Sequence, residues 1–416
     1  MSGSNGRPPE ADTIYDWNLN GERVSPPLRP IEYFDETLRD GIQCPSVQDP
    51  PIEAKMEMIR LMSDLGVHHV DVGLPGAGKR AVQDCTVLAE MIRDEGLPIK
   101  PTCAARTHAN DINPIIAISQ TVGIGIEVMA FLGTSPLRLY AESWDAELLE
   151  KRTREAVSLA KGAGLQCTFV TEDTVRSHPK LLARLWNAAI EEQADGLCLC
   201  DTVGHATPDG VFNLIHYARN IIRAADTDTR IDWHGHNDRG HALPNALMAI
   251  EAGADRIHGT VLGMGERVGN TALDLLMVNL KLLGQEDGDL RKLVDLVELA
   301  SEACHVPIPP AYPVFGHDAF RTGTGVHAAA VIKAQRKGHA WLADRIYSGV
   351  PAAWFGREQI IEVGHYSGAS NVVAWLQAHD IEATESLVQA VMHKAKSGNR
   401  LLEEAEILQV VAEHRV

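Results

Sequence analysis

Up to residue 284 the hydrophobic and polar positions follow two alternating patterns. Short apolar runs bounded by turn residues read as β-strands, and they fall at 31–36, 68–74, 99–105, 124–131, 165–170, 196–201, 230–236 and 255–261. Between them lie stretches with helical spacing, such as IEAKMEMIRLMSDLG (52–66), DAELLEKRTREAVSLAKGAG (145–164) and LPNALMAIEAGA (243–254). Gly66, Gly96, Gly164 and Gly253 close these helices, where a left-handed C-cap favours glycine. Eight strand-then-helix units in about 250 residues predict an α/β fold, a (β/α)8 TIM barrel over 31–284. A doubly wound open sheet shares the alternation but gathers its ligand at one switch point. Here polar residues end many different strands, which selects the barrel.

Past 284 the pattern changes. One helical stretch, LRKLVDLVELASEAC, leads into the Pro-rich HVPIPPAYPVFG and then into irregular and helical segments. Residues 285–416 read as a smaller, mostly helical C-terminal lid or dimerisation region. Residues 1–30, rich in Pro and Gly, read as an N-terminal arm.

Composition narrows the class. A net charge of −18 without a basic patch excludes a nucleic-acid partner. No apolar run reaches the roughly 20 residues that cross a bilayer, and the first residues lack the basic and apolar regions of a secretory signal. Seven cysteines without framework spacing fit a reducing compartment, so a cytoplasmic location is expected. Cys198 and Cys200 alternate along one apolar run and read as core thiols facing one side.

The chemistry sits at strand ends. FDETLRDGIQCP (34–45) places Asp35, Glu36, Arg39, Asp40 and Gln43 at the tip of the first strand. IDWHGHND ends the seventh, and its His234 and His236 face one side because alternate strand residues do. Taken alone, His-x-His is equally a pair of solvated or core histidines. Strands one and seven of a closed barrel are separated only by strand eight, so Asp40 can converge with the two imidazoles on one metal ion. GTVLGMGERVGN ends the eighth strand, with Asn270 as a further oxygen ligand and Glu266 with Arg267 read as a structural ion pair. Glu172 and Asp173 follow strand five, and Asp201 and Thr202 follow strand six, Asp201 reading as a turn or cap residue. Arg106, His108 and Thr134, after strands three and four, are weaker candidates.

Together DETLRDGIQ, TEDTVRS, DTVGHATP, HGHNDRG and LGMGERVGN resemble the DRE-TIM metallolyases, in particular their acyl-CoA-dependent synthases of the 2-isopropylmalate, homocitrate and citramalate type. The last loop lacks the cysteine of the related hydroxymethylglutaryl-CoA lyases. GTGVHAAAV and IYSGVPAAWFG resemble the segments that carry the family's catalytic histidine and tyrosine, which map to His327 and Tyr347. The resemblance implies a divalent metal (Mn²⁺, Zn²⁺, Mg²⁺ or Co²⁺) on Asp40, His234, His236 and Asn270, with acetyl-CoA as co-substrate. It also implies a domain-exchanged homodimer. Arg39 is expected to meet charge on the 2-oxo oxygen, Glu172 with His327 to relay the methyl proton, and Tyr347 to assist at the acyl-transfer end. Thr202, Gln43, His108 and Arg106 are expected at the substrate, and Glu36 with Gln43 behind Arg39 and Asp40. Asp35 is expected to face a neighbouring loop. Asp40, rather than Glu, and Thr168 on alignment with an arginine that meets a distal carboxylate, favour 2-oxoisovalerate. Homocitrate or citramalate synthesis is the alternative, and a metal-dependent aldolase or lyase the alternative of another class. The regulatory domain of 2-isopropylmalate synthases has no counterpart, so leucine inhibition is not expected.

Overall fold

A computed structural model of the chain describes residues 14–19 and 30–414. Most of the expected N-terminal arm therefore lies outside the described residues. Eight parallel strands close into a barrel: β1 (Glu32–Asp35), β2 (His69–Asp71), β3 (Lys100–Arg106), β4 (Glu127–Gly133), β5 (Cys167–Glu172), β6 (Gly196–Asp201), β7 (Arg230–Gly235) and β8 (Arg256–Gly259). The ring closes where Glu32 to Asp35 pair with Arg256 to Gly259. Each strand falls within two or three residues of its place in the hydrophobic pattern. Helices wrap the outside, and their ends follow local chemistry. The Asp145 side chain accepts the Leu148 amide at the head of helix Ala146–Gly162, and Thr207 does the same for Gly210 ahead of Pro208–Ala224. Gly253, at φ 101°, ends helix Ala242–Ala252 in a conformation that a side chain would strain.

Alternate residues of each strand point into the barrel, and they stack in layers. The lowest layer is ionic where a barrel usually packs bulky apolar side chains. Arg256, fully buried, holds Glu127 (2.8 and 3.0 Å) and Asp232 (2.9 and 2.5 Å). Arg230 reaches Glu127 (2.7 Å) and Asp232 (3.0 Å), so two guanidiniums balance two carboxylates. Thr168 donates to Glu127 at 2.6 Å, and Gly196 leaves it room: a Cβ there would stand 2.7 Å from the threonine oxygen. Above this layer Phe34 stacks on His258, with ring centroids 4.0 Å apart, and packs with Met129, Cys198, Cys200 and Val170. The next layer up is the mouth.

The described residues divide into two compact units, one running to Pro307 and the other from Ile308 onward together with residues 14–18. The first extends past the boundary expected at 284, because helix Lys292–Ala303 packs on helix Ile52–Asp64. The second is mainly helical, with its own core of Val363, Val372, Leu376, Val391 and Ile407 among others, and a small parallel pair of strands, Arg321–Thr322 and Ile360–Ile361.

Candidate active site

The turn after β1 is wound tightly: the amides of Arg39 and Gly41 both donate to the Glu36 carbonyl, and that of Ile42 donates to Thr37. Three consecutive functions are thereby gathered at the mouth. Arg39 donates through Nε to Asp71 (3.0 Å) and through Nη1 to Asp40 (3.0 Å), and its other nitrogen grips Glu36. Burial opposes its charge, but the three carboxylates hold the guanidinium charged. Asp35 is engaged by the turn that follows its own strand. Its carboxylate accepts the amide and hydroxyl of Thr37 (2.8 and 3.0 Å), and burial lifts its pKa to about 7.

From β7, His234 and His236 bring their Nε2 atoms to 3.1 Å of each other, with Asp40 Oδ2 at 3.7 and 3.8 Å. Glu36 Oε2 lies 2.6 Å from His234 Nδ1. A proton on that nitrogen leaves the Nε2 lone pair facing the mouth, as metal-binding histidines are commonly oriented. Burial disfavours charge on both rings. Glu36 overcomes this for His234, lifting it to about 9, whereas burial and then the neighbouring His234 push His236 down to about 4.

Asn270 arrives from the loop after β8, where it forms an isolated antiparallel bridge with His236. Both polar atoms of its side chain are buried without a hydrogen-bond partner, and so is His236 Nδ1. The loop glycines make this position possible. A Cβ on Gly265 would lie 2.5 Å from Asn270 Oδ1, and one on Gly269 (φ 94°) would lie 1.9 Å from the Gly263 carbonyl.

These residues fit a divalent cation. Asp40, His234 and His236 each offer a donor atom within 4.8 Å of the others, and the orphaned Asn270 amide adds a neutral oxygen.

Below the cluster lies a cavity of about 380 Å³. Arg39, Gln43, Glu172 and Thr202 line it with the metal cluster, and Ala104, Met129, Phe131, Val170, Cys198 and Cys200 give it an apolar floor. Burial raises the Glu172 carboxyl above its ordinary range against the pull of Arg138, 4.0 Å away. Thr202 Oγ1 accepts the Asp173 amide at 2.8 Å.

The remaining sequence-based candidates sit in varied surroundings. Arg106 turns away to pair with Asp111 at 2.7 Å, and His108 caps helix Ala109–Val122; neither lines the cavity. Thr134 is spent on Ser177 and the Glu172 carbonyl. Arg267 pairs with Asp238 (2.8 Å) instead of Glu266. Thr168 belongs to the ionic layer and does not line the cavity, so it cannot read an acceptor's distal group directly. Asp201 is a turn residue as expected, accepting the amides of His205 and Ala206. His327 and Tyr347 lie in the second unit and stack on each other, centroids 4.0 Å apart. Sequence reasoning missed Asp71 and His258. His258 was legible in RIHG, two positions past Arg256 on the inward face. It lines the cavity, with Nε2 3.3 Å from Asp232.

Fold and site together define a (β/α)8 barrel with a histidine–carboxylate cluster of metal-binding character at its C-terminal mouth. The HMGL-like family model matches residues 30–303, and the chain belongs to that family. A homocitrate synthase AksA of Methanopyrus kandleri is 32% identical over 88% of this chain and 86% of its own. A probable 2-isopropylmalate synthase of the same organism is 31% identical, over 88% and 69% respectively. Among solved structures, the HMG-CoA lyase of Bacillus subtilis covers 68% of this chain and 97% of its own, with TM-score 0.56 and 21% identity, a likeness of fold.

Proposed function

We propose that this protein condenses acetyl-CoA with a 2-oxo acid whose side chain is apolar, 2-oxoisovalerate being the acceptor of choice, so that the product is a 2-isopropylmalate. The observation that carries the reading is the pairing of a metal-type cluster at the mouth with an apolar floor beneath it. A divalent cation on Asp40, His234, His236 and Asn270 supplies Lewis acidity to the acceptor's 2-oxo group.

Arg39, fixed by three carboxylates, presents positive charge where the keto oxygen turns into an alkoxide, and a preorganised guanidinium stabilises that charge without reorganising. Thr202, whose oxygen already accepts an amide, directs its hydroxyl proton to the acceptor's carboxylate. Glu172 takes the proton from the acetyl methyl group, with its raised pKa matched to that task. On the resemblance of their segments we assign His327 to the same proton relay and Tyr347 to the acyl-transfer end, in a domain-exchanged homodimer. The methyl carbon bonds to the keto carbon, the alkoxide is protonated, and water then cleaves the thioester to release CoA.

Both guanidiniums that line the cavity are already paired, Arg39 with three carboxylates and Arg267 with Asp238. With Arg39 assigned to the keto oxygen and Arg267 held by Asp238, neither of these two is left to meet a second carboxylate on the acceptor. The homocitrate synthase names of several relatives make 2-oxoglutarate the second acceptor to compare. The test is CoA release from acetyl-CoA with 2-oxoisovalerate, pyruvate, 2-oxoglutarate and oxaloacetate at equal concentration. The highest kcat/KM is expected for 2-oxoisovalerate; a higher value for 2-oxoglutarate reassigns the acceptor, and no CoA release with any acid rejects the condensation.

A further inference from the structure

Glu172 stands at the cavity wall with a cation beside it, and a glycine lets that cation in. Gly133 ends β4 and pairs in register with Glu172 at the end of β5. Without a side chain it leaves room over the strand end, and Arg138, from helix Pro136–Glu142, lays its stem there. A Cβ on Gly133 would stand 2.5 Å from Arg138 Cγ and 3.2 Å from its Nε. The stem runs toward the neighbouring strand end, where Arg138 Nε lies 4.0 Å from Glu172 Oε1. Ser135 caps the helix by accepting the Arg138 amide, and the guanidinium rests against Trp144, 5.7 Å from the ring centroid, so the side chain is placed from both ends. A second carboxylate reaches for the same group: Glu142, one turn on, lies 3.4 Å from Nη1.

We propose that Arg138 is a positioning residue: laid across Gly133, it holds the Glu172 carboxylate ionised at the cavity wall, while Glu142 competes with Glu172 for it. The other charged groups around Glu172 leave this part to Arg138. Asp173, next in the chain, repels Glu172 and is itself held by Arg176 at 2.7 Å. Arg39, which lines the same cavity, is held by three carboxylates. Burial favours the protonated acid, Asp173 and Glu142 add to that, and the Arg138 guanidinium opposes all three. The pairing stands whatever Glu172 does; that it tunes the base of the condensation rests on the proposed function.

The titration midpoint of the Glu172 carboxyl tests the pairing without needing activity. It is followed by ¹³C NMR on the full-length, Mg²⁺-loaded protein labelled at its glutamate carboxyls, the Glu172 signal being the one that Glu172→Gln removes. Arg138→Gln is expected to raise the midpoint by about 0.5–1 in pH, less than a fully buried pair would give because Arg138 is half-exposed. Arg138→Lys should restore it in part. Gly133→Ala, which pushes the stem aside, should raise it too, and should add nothing in the Arg138→Gln background, since the glycine acts only through the arginine. Glu142→Gln should lower it. A midpoint unmoved in Arg138→Gln or, should that variant not fold, in Gly133→Ala overturns the pairing, and full additivity of the two does the same. A midpoint unchanged or raised in Glu142→Gln removes the competition. The acidic limb of kcat/KM for CoA release tests the consequence: a limb that moves with the midpoint supports it. A midpoint that moves while the limb stays keeps the pairing and takes the role of base in the proposed function away from Glu172.

Discussion

Glu36 sets more of the site than any side chain it supports, since it binds both His234 and Arg39 and approaches His258. Outer carboxylates of this sort commonly govern affinity by a factor of 10–100. Glu36→Gln is therefore expected to weaken Mn²⁺ binding by about 10–100-fold in calorimetric titration, with the fold intact; unchanged affinity would remove Glu36 from its assigned place. A second residue-scale expectation concerns Glu172. As the base it must be ionised, and burial raises its pKa, so kcat/KM should fall with decreasing pH already above the ordinary glutamate range. Glu172→Gln should lower kcat by about 10²–10⁴-fold and abolish that acidic limb; a limb that persists unchanged assigns it to another group. At this scale the convergence of Asp40, His234 and His236 was the legible part. Strand alternation pairs His234 with His236, and barrel closure brings Asp40 beside them. The floor was legible only in part: Cys198 and Cys200 read as thiols sharing one face, but in an apolar run nothing marks that face as a cavity lining. Arg106 shows the opposite failure: a polar residue at a strand end that a local partner, Asp111, draws away.

Among the elements, the loop after β8 depends most on backbone freedom. Gly269→Ala forces a Cβ into the Gly263 carbonyl at a positive φ, which costs about 1–3 kcal/mol. A lowered urea midpoint together with weakened Mn²⁺ binding is expected, since the same loop carries Asn270. Wild-type values for both would show that the loop tolerates the side chain. The strands of the barrel and the glycine ends of its helices were readable from the chain because each rests on local chemistry, whereas the Asp145 and Thr207 N-caps came from the structure alone. Helix Lys292–Ala303 has the same amphipathic pattern as a barrel helix, and its packing on Ile52–Asp64 carries the first compact unit past 284. The Pro-rich run after it is the true break.

For the whole molecule, the ionic layer replaces part of the usual apolar barrel interior. Removing one partner of a buried pair leaves the others uncompensated, so Arg256→Ala is expected to destabilise the protein by about 3–5 kcal/mol in urea unfolding; a loss below 1 kcal/mol would show the layer to be dispensable. At its edge His69, 3.2 Å from Glu32, lowers that carboxyl from 4.5 to about 2. A carboxyl whose folded pKa is depressed contributes stability above its unfolded value, here 4.5, and loses it as pH falls toward about 2. Glu32→Gln should therefore flatten stability against pH within that window and leave its slope near neutrality unchanged. No sequence pattern announced this layer, because its members come from several strands and only closure brings them together. The account as a whole stands on a divalent cation at the barrel mouth enabling acetyl-CoA to condense with a 2-oxo acid. Its most direct test is CoA release with 2-oxoisovalerate from protein stripped by a chelator and then resupplied with Mn²⁺. Loss on stripping, recovery on resupply, and no recovery in His234→Ala are predicted; CoA release that survives stripping, or that recovers equally in His234→Ala, would contradict it.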